Sequence, residues 1–246
     1  MKNLLLIFII SSIILPCANS QTMNITYKTI TDKNPDYSIN ATYPQIDFGP
    51  EALMGVRGIA QDINNALDTM VSQIINGFVN EVSRLPDKIV NGNGSSLGIT
   101  SEAYVSNGTL LSAHITDFSS IAGAAHPLTT IHSFNYSIIA SGILNITNLF
   151  LSNSDYLNYI SNYCITQLRE YAQKEGYTNI DEMITGGASP ELKNFNTWSI
   201  KNDNLEIKFN PYQVAPYVFG IQTVSIPLSN MTSMLNPKGP LSFMFR

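Results

Sequence analysis

The chain has 246 residues, of which 13% are charged, and a net charge of -5. Charge that sparse, beside abundant Asn, Ser, Thr and Tyr, implies a polar but weakly charged surface. The acidic balance and the lack of a Lys/Arg cluster argue against nucleic-acid binding through phosphates and against anionic membrane surfaces.

Read in chain order, Met1 to Gln21 begins with Lys2. It continues as the apolar runs Leu4 to Ile10 and Ile13 to Leu15, breaks at Pro16 and ends in the small residues Ala18 and Ser20. That is the order of an export signal, with cleavage expected after Ser20. An apolar stretch of about a dozen residues is shorter than the ~20 needed to span hydrocarbon. Cys17 stands where a lipoprotein would carry its lipid, but Pro16 directly before it fits that site poorly. Removing residues 1–20 leaves about 225, enough for one large or two small domains burying roughly 70% of the unfolded surface. No later stretch is long and apolar enough for a membrane anchor, so a secreted or periplasmic protein is expected. Its remaining cysteine, Cys164, has no intramolecular partner and reads as a buried small hydrophobe.

Ile25 to Ile30 and Ile39 to Ile46 alternate as strands around an Asn34-Pro35-Asp36 turn. Apolar residues from Val56 to Val82 recur at three- and four-residue steps, which predicts one long helix from near Glu51 to Ser83. Asn91 to Ser96 reads as a loop. Asn107-Gly108 then predicts a tight hairpin turn that pairs Leu110 to Phe118 back antiparallel. Leu128 to Ile139 is a further strand, with Thr129, Ile131, Ser133 and Asn135 on one face. Asp155 to Lys174 reads as a helix capped by Ser154 and stopped at Gly176. A hairpin around Asn202-Asp203-Asn204 and a strand at Val224 to Pro227 complete the pattern. Helices set between antiparallel strands indicate an α+β fold. Boundaries are expected at 1–20 for the signal, 21–118 for an N-terminal subdomain and 119–246 for a C-terminal one, packed together.

The local signatures of catalysis, metal binding and cofactor binding are missing: no H-E-x-x-H, C-x-x-C, G-x-S-x-G or phosphate loop occurs. No catalytic residue, metal ligand or cofactor is therefore assigned. His114 with Asp117, or His126 with His132, are formal pairs, though neither spacing fixes a ligand geometry within one element. Asp181 and Glu182 lie near a helix start, where carboxylates favour the positive end of the dipole. Glycosylation sequons begin at Asn24, Asn40, Asn93, Asn107, Asn135, Asn145 and Asn230 and carry meaning only in a eukaryotic secretory route.

Gly123-Ala124-Ala125-His126-Pro127, Phe134-Asn135, Gly142, Asn148-Leu149-Phe150 and Asn194-Phe195 precede the run Phe209 to Tyr217, which reads Phe-Asn-Pro-Tyr-Gln-Val-Ala-Pro-Tyr. Gly220 and Ile226-Pro227 follow it. Their order resembles the extracytoplasmic domain shared by RsiV-type anti-sigma factors and PdaC-type peptidoglycan deacetylases. The first half, with Tyr43-Pro44-Gln45-Ile46 leading into the long helix, is similar to the domain that commonly precedes it there. Ala124 departs from the second glycine usual in that turn.

The resemblance implies a shared module without the sigma-binding segment or the metal-dependent deacetylase domain that give those families their named activities. In the anti-sigma family the module is a receptor for lysozyme. The expectation is therefore a non-enzymatic binding module recognising an extracytoplasmic protein such as lysozyme, or a cell-wall glycan, with His126, Tyr212 and Gln213 as candidate binding residues. The alternative is a stand-alone cell-wall or glycan hydrolase, which requires His126 in an open cleft with a carboxylate within hydrogen-bond reach.

Overall fold

A computed structural model describes residues 22–86 and 94–245. The expected export signal over 1–20, with Cys17, and the sequon at Asn93 lie outside those residues.

The first element is the predicted hairpin of β1 (Asn24–Lys33) and β2 (Tyr37–Asp47), closed where Asn34 Oδ1 accepts the backbone N–H of Asp36 at 2.9 Å and of Tyr37 at 3.0 Å. The long helix α1 (Met54–Val82) follows and leads to β3 (Ser95–Ser106), which pairs parallel to β2 through Ile39↔Leu97. The helix begins three residues later than Glu51. No side chain caps it at Leu53; Arg57 reaches back instead to the carbonyls of Ala52 and Pro50. Its buried face of Ile63, Leu67, Val71, Phe78 and Val82 packs on Ile39, Ala41 and Ile99 of the sheet. Asp68 adds a polar anchor, accepting from Lys28 and Tyr43 at 2.8 Å and from Gln45 at 3.0 Å. Burial alone would raise the Asp68 pKa, but hydrogen bonds from Lys28, Tyr43 and Gln45 outweigh it and hold the carboxyl below its ordinary value.

Asn107 and Gly108, with φ of 49° and 67°, make the expected turn into β4 (Leu110–Ser120). β5 (Leu128–Ser137) and the short β6 (Gly142–Ile143) complete a six-stranded sheet in the order β1-β2-β3-β4-β5-β6. The second layer holds α2 (Tyr156–Lys174), the short α3 (Asp181–Gly187) and a three-stranded sheet of β7 (Trp198–Lys201), β8 (Asn204–Phe209) and β9 (Gln222–Pro227). Ser154 does not cap α2, since its hydroxyl donates to the carbonyls of Leu151 and Met234. Cys164 lies on the buried face of α2, and burial pushes its thiol up to about 12. Among the described residues no helix is long and apolar enough to cross a membrane.

The expected boundary after residue 118 falls inside β4. β5 pairs with β4 from Leu110↔Ser137 to Ser119↔Leu128, so the chain cannot be divided there without breaking a full ladder. The two cores separate instead between Ile138 and Leu144, with Leu110 joining the second one.

The layers are joined along β7. Lys208 N–H donates to Thr197 O at 2.9 Å, so Lys208 and Glu206 point their backbone groups toward β7, and Leu205, Ile207 and Phe209 point theirs toward β9. The backbone N–H and C=O groups of Trp198 and Ile200 therefore point to the far side of β7, where side chains of the large sheet meet them. Ser133 Oγ accepts from Trp198 N–H at 3.3 Å and Ser112 Oγ from Ile200 N–H at 3.0 Å. Asn135 Nδ2 donates to Trp198 O at 3.0 Å. The predicted face of Thr129, Ile131, Ser133 and Asn135 is thus the face turned to the second layer. Asn135 is consequently only 2% exposed, and the folded chain has no room for a glycan there. The sequons at Asn24, Asn40, Asn107, Asn145 and Asn230 are exposed.

Candidate functional site

The three histidines occupy three environments. His114, on the face of β4 turned to the second layer, is 1% exposed, and neither ring nitrogen has a hydrogen-bond partner among the described residues. Burial, reinforced by the positive charges of Lys208 and Lys201 and opposed by Glu102, pushes it down to about 3. It is a neutral ring at ordinary pH. Asp117, three residues away on the same strand, projects to the opposite face and pairs with His132 instead, Nε2 to Oδ1 at 2.8 Å. Neither of the formal pairs His114/Asp117 and His126/His132 forms. Among the described residues no group of three His, Cys, Asp or Glu could hold a metal ion. Asp181 is paired with Arg169, Nε to Oδ1 at 2.6 Å and Nη2 to Oδ2 at 3.0 Å, and that guanidinium holds its carboxyl below the ordinary value.

His126 is exposed, in the loop between β4 and β5. Its Nδ1 lies 2.8 Å from the carbonyl of Pro127, which can only accept, so Nδ1 carries the proton and the neutral ring offers Nε2 as an acceptor. Tyr212 Oη lies 3.3 Å from that Nε2. The His126 ring is tilted over Tyr217 at 4.9 Å between centroids and 6.3 Å from Tyr212, and the two tyrosines lie 5.5 Å apart. Three rings from two distant segments thus form one cluster, with His126 and Tyr212 exposed and Tyr217 half-buried. No Asp or Glu hydrogen-bonds His126 among the described residues; the tyrosine hydroxyl takes the place that the hydrolase alternative gives to a carboxylate.

The segment after β8 builds this cluster. Asn210 Oδ1 accepts the N–H of Ile131 at 2.7 Å, tying the segment to β5. Gln213 Oε1 accepts from Asn210 N–H at 3.2 Å, while its Nε2 donates to Gly187 O at 3.0 Å and Asn194 O at 2.9 Å. The Gln213 amide is therefore spent on holding the loop, a structural role in place of the expected ligand contact. Between these two ties Tyr212 adopts φ of 69°, a region that bulky residues rarely enter, and its ring stands 51% exposed. Gly187 makes the tie possible, since a Cβ there would lie 1.8 Å from the Gln213 carbonyl oxygen. Ala124 occupies an exposed turn position, its N–H donating to Ile121 O at 3.0 Å, so the departure from glycine is accommodated.

Next to Tyr217 an open apolar depression of about 410 Å³ is lined by Thr129, Pro211, Val218, Gly220 and Ile221, and Val218 is 82% exposed. Tyr217, Val218 and Gly187 are not among the candidate residues that the sequence indicates. The signals available were the aromatic spacing Tyr212 to Tyr217 and the Gly186-Gly187 pair closing a short helix.

Residues 147–229 match the family model described as a protein of unknown function, DUF3298. That range runs from the end of the large sheet to just past β9, nearly the span of the second core. The chain is 30% identical over 113 residues to the peptidoglycan-N-acetylmuramic acid deacetylase PdaC of Bacillus subtilis, a match covering 46% of this chain and 24% of that protein. Two solved structures share the fold. A DUF3298 family protein from Pseudomonas aeruginosa matches with a TM-score of 0.58 at 10% identity, over 89% of this chain and 98% of the other. One from Bacteroides fragilis matches with 0.53 at 15%, over 88% and 95%. The fold of both layers is therefore shared with those two structures, and within it residues 147–229 are similar to the DUF3298 model.

Proposed function

We propose that the protein is an exported, non-enzymatic binding module that recognises a cell-wall glycan through the rings of His126, Tyr212 and Tyr217. The observation that carries this reading is the strained, doubly tied Tyr212, held in a backbone conformation that leaves it half exposed beside the rings of His126 and Tyr217. Strain of this kind costs on the order of 1–3 kcal/mol and persists where the surroundings impose it, which is typical of binding sites. Exposed aromatic faces with hydroxyl and imidazole edges suit a ligand that is apolar on its ring faces and polar at its rim, as a sugar is. The partial match to a protein named for acting on peptidoglycan points the same way, although this chain spans about a quarter of that protein's length.

The rings carry no carboxylate among them, whereas capture of a strongly basic lysozyme would call for acidic side chains at the contact. A calorimetric titration with soluble peptidoglycan oligosaccharides tests the proposal. Binding that weakens at least about tenfold in Tyr212→Ala and in Tyr217→Ala is the expected result. Tight binding of lysozyme without binding of saccharide would replace the glycan by a protein ligand. Breakdown of a peptidoglycan suspension that depends on His126 would restore the hydrolase.

A further inference from the structure

The hydrogen-bond alternation that fixes β7 also fixes β9. Gln222, Val224 and Ile226 are opposite Phe209, Ile207 and Leu205 and share their ladder bonds. Thr223 and Ser225 therefore point their N–H and C=O groups away from β8, and β9 is the outer strand of its sheet. Neither residue's backbone is bonded there to any described residue. The strand's outer side opens on a slot of about 480 Å³ against α2, within the usual size range for a ligand site. Gln167 and Tyr171 line it from the helix, Phe219 and Ile221 from the preceding turn, and Thr223 and Ser225 from the strand. None of the residues lining it carries a charge.

We propose that this slot takes an extended, uncharged peptide segment of a partner protein as an added strand on β9, antiparallel or parallel to it, with α2 as the opposite wall. Outward donors and acceptors on alternate residues are the pattern that a peptide backbone complements and a sugar chain does not. The uncharged lining matches side chains without charge, and the exposed Tyr171 ring and Ile221 offer apolar contacts to alternate positions of the guest strand. This interaction surface is distinct from the ring cluster and stands or falls independently of the glycan proposal.

The test uses a library of random octapeptides displayed on phage and selected on the intact protein, followed by titration of a selected synthetic peptide. Its amide hydrogen exchange should slow at Thr223 and Ser225, and at no ring-cluster residue. Thr223→Pro and Ser225→Pro remove only outward donors, a placement that an edge strand tolerates, and each should weaken the peptide by at least about tenfold. Methylating alternate peptide amides should do the same. No selected peptide, or a bound peptide that leaves Thr223 and Ser225 unprotected, overturns the proposal. Protection of those amides in the protein alone, appearing with a dimer in sedimentation, overturns it in favour of a second copy. Protection on adding peptidoglycan oligosaccharide and not peptide overturns it in favour of a second glycan site.

Discussion

The two edges of the three-stranded sheet meet opposite fates. At β7 the outward N–H groups of Trp198 and Ile200 end on Ser133 and Ser112, and the outward carbonyl of Trp198 receives Asn135. At β9 the corresponding groups of Thr223 and Ser225 face an open slot beside α2. An unpaired strand edge invites association. Here one edge associates with the protein's own large sheet, through single side chains in place of a neighbouring strand. The other opens on the slot that Gln167 and Tyr171 of α2 line. One edge fastens the two layers, and the opposite edge is left open to the slot.

Emptying the sealed side should have the largest effect. Trp198, 2% exposed, anchors β7 in the second core, and Trp198→Ala should cost about 3–5 kcal/mol in denaturant unfolding. A calorimetric scan should show both layers losing stability together. Independent melting of the large sheet at its original temperature would show that the seam does not couple them.

His114 lies on the same face as Ser112, in the same seam, and makes the sealed side sensitive to pH. Its folded value near 3 lies below the ordinary 6.5, so the unfolded chain takes up the proton first. The stabilising contribution is fully present above pH 6.5 and is lost progressively as pH falls toward 3, by a few kcal/mol in order of magnitude. Glu102, held low by Tyr104 and Lys208, and Asp68 lose their contributions only below the ordinary carboxylate values of 4.5 and 3.8. The upper part of the window therefore isolates the histidine. Unfolding midpoints measured between pH 6.5 and 5 should fall for the parent protein and flatten in His114→Leu.

A smaller effect is expected from one seam bond. Ser112→Val leaves the buried Ile200 N–H without its acceptor and should cost about 1–3 kcal/mol. Thr223→Pro at the open edge removes a donor that faces the slot, and a change of less than about 0.5 kcal/mol is expected. If the two substitutions were equally costly, the contrast between sealed and open edges would not hold.

Much of this architecture was legible because its signals are local. The β1-β2 turn, the stripe on α1, the Asn107-Gly108 hairpin and the left-handed pair Asn202-Asp203, with φ of 48° and 58°, all depend on residues close in sequence. The seam was not, because it joins Ser112 to Ile200 across 88 positions and Ser133 to Trp198 across 65. The boundary expected after residue 118 falls within the β4-β5 ladder because no change of composition marks that local pairing. His114 and Asp117 looked like neighbours in sequence, yet an odd separation along a strand sends them to opposite faces. In the candidate site, the motif from Phe209 to Tyr217 identified the right segment but not the roles within it. Gln213 carries polar groups suited to a ligand, and it spends them on Gly187, Asn194 and Asn210, while the half-buried ring of Tyr217 lies tilted against His126.

The proposed glycan site consists of the rings of His126, Tyr212 and Tyr217. The most direct measurement is the nuclear magnetic resonance of their side chains during titration with a peptidoglycan tetrasaccharide. Saturable shifts of those three rings, with His132 and the buried His114 unmoved, are the predicted result. Binding that shifts other residues and leaves these rings unchanged, or no shift at any concentration, would contradict it.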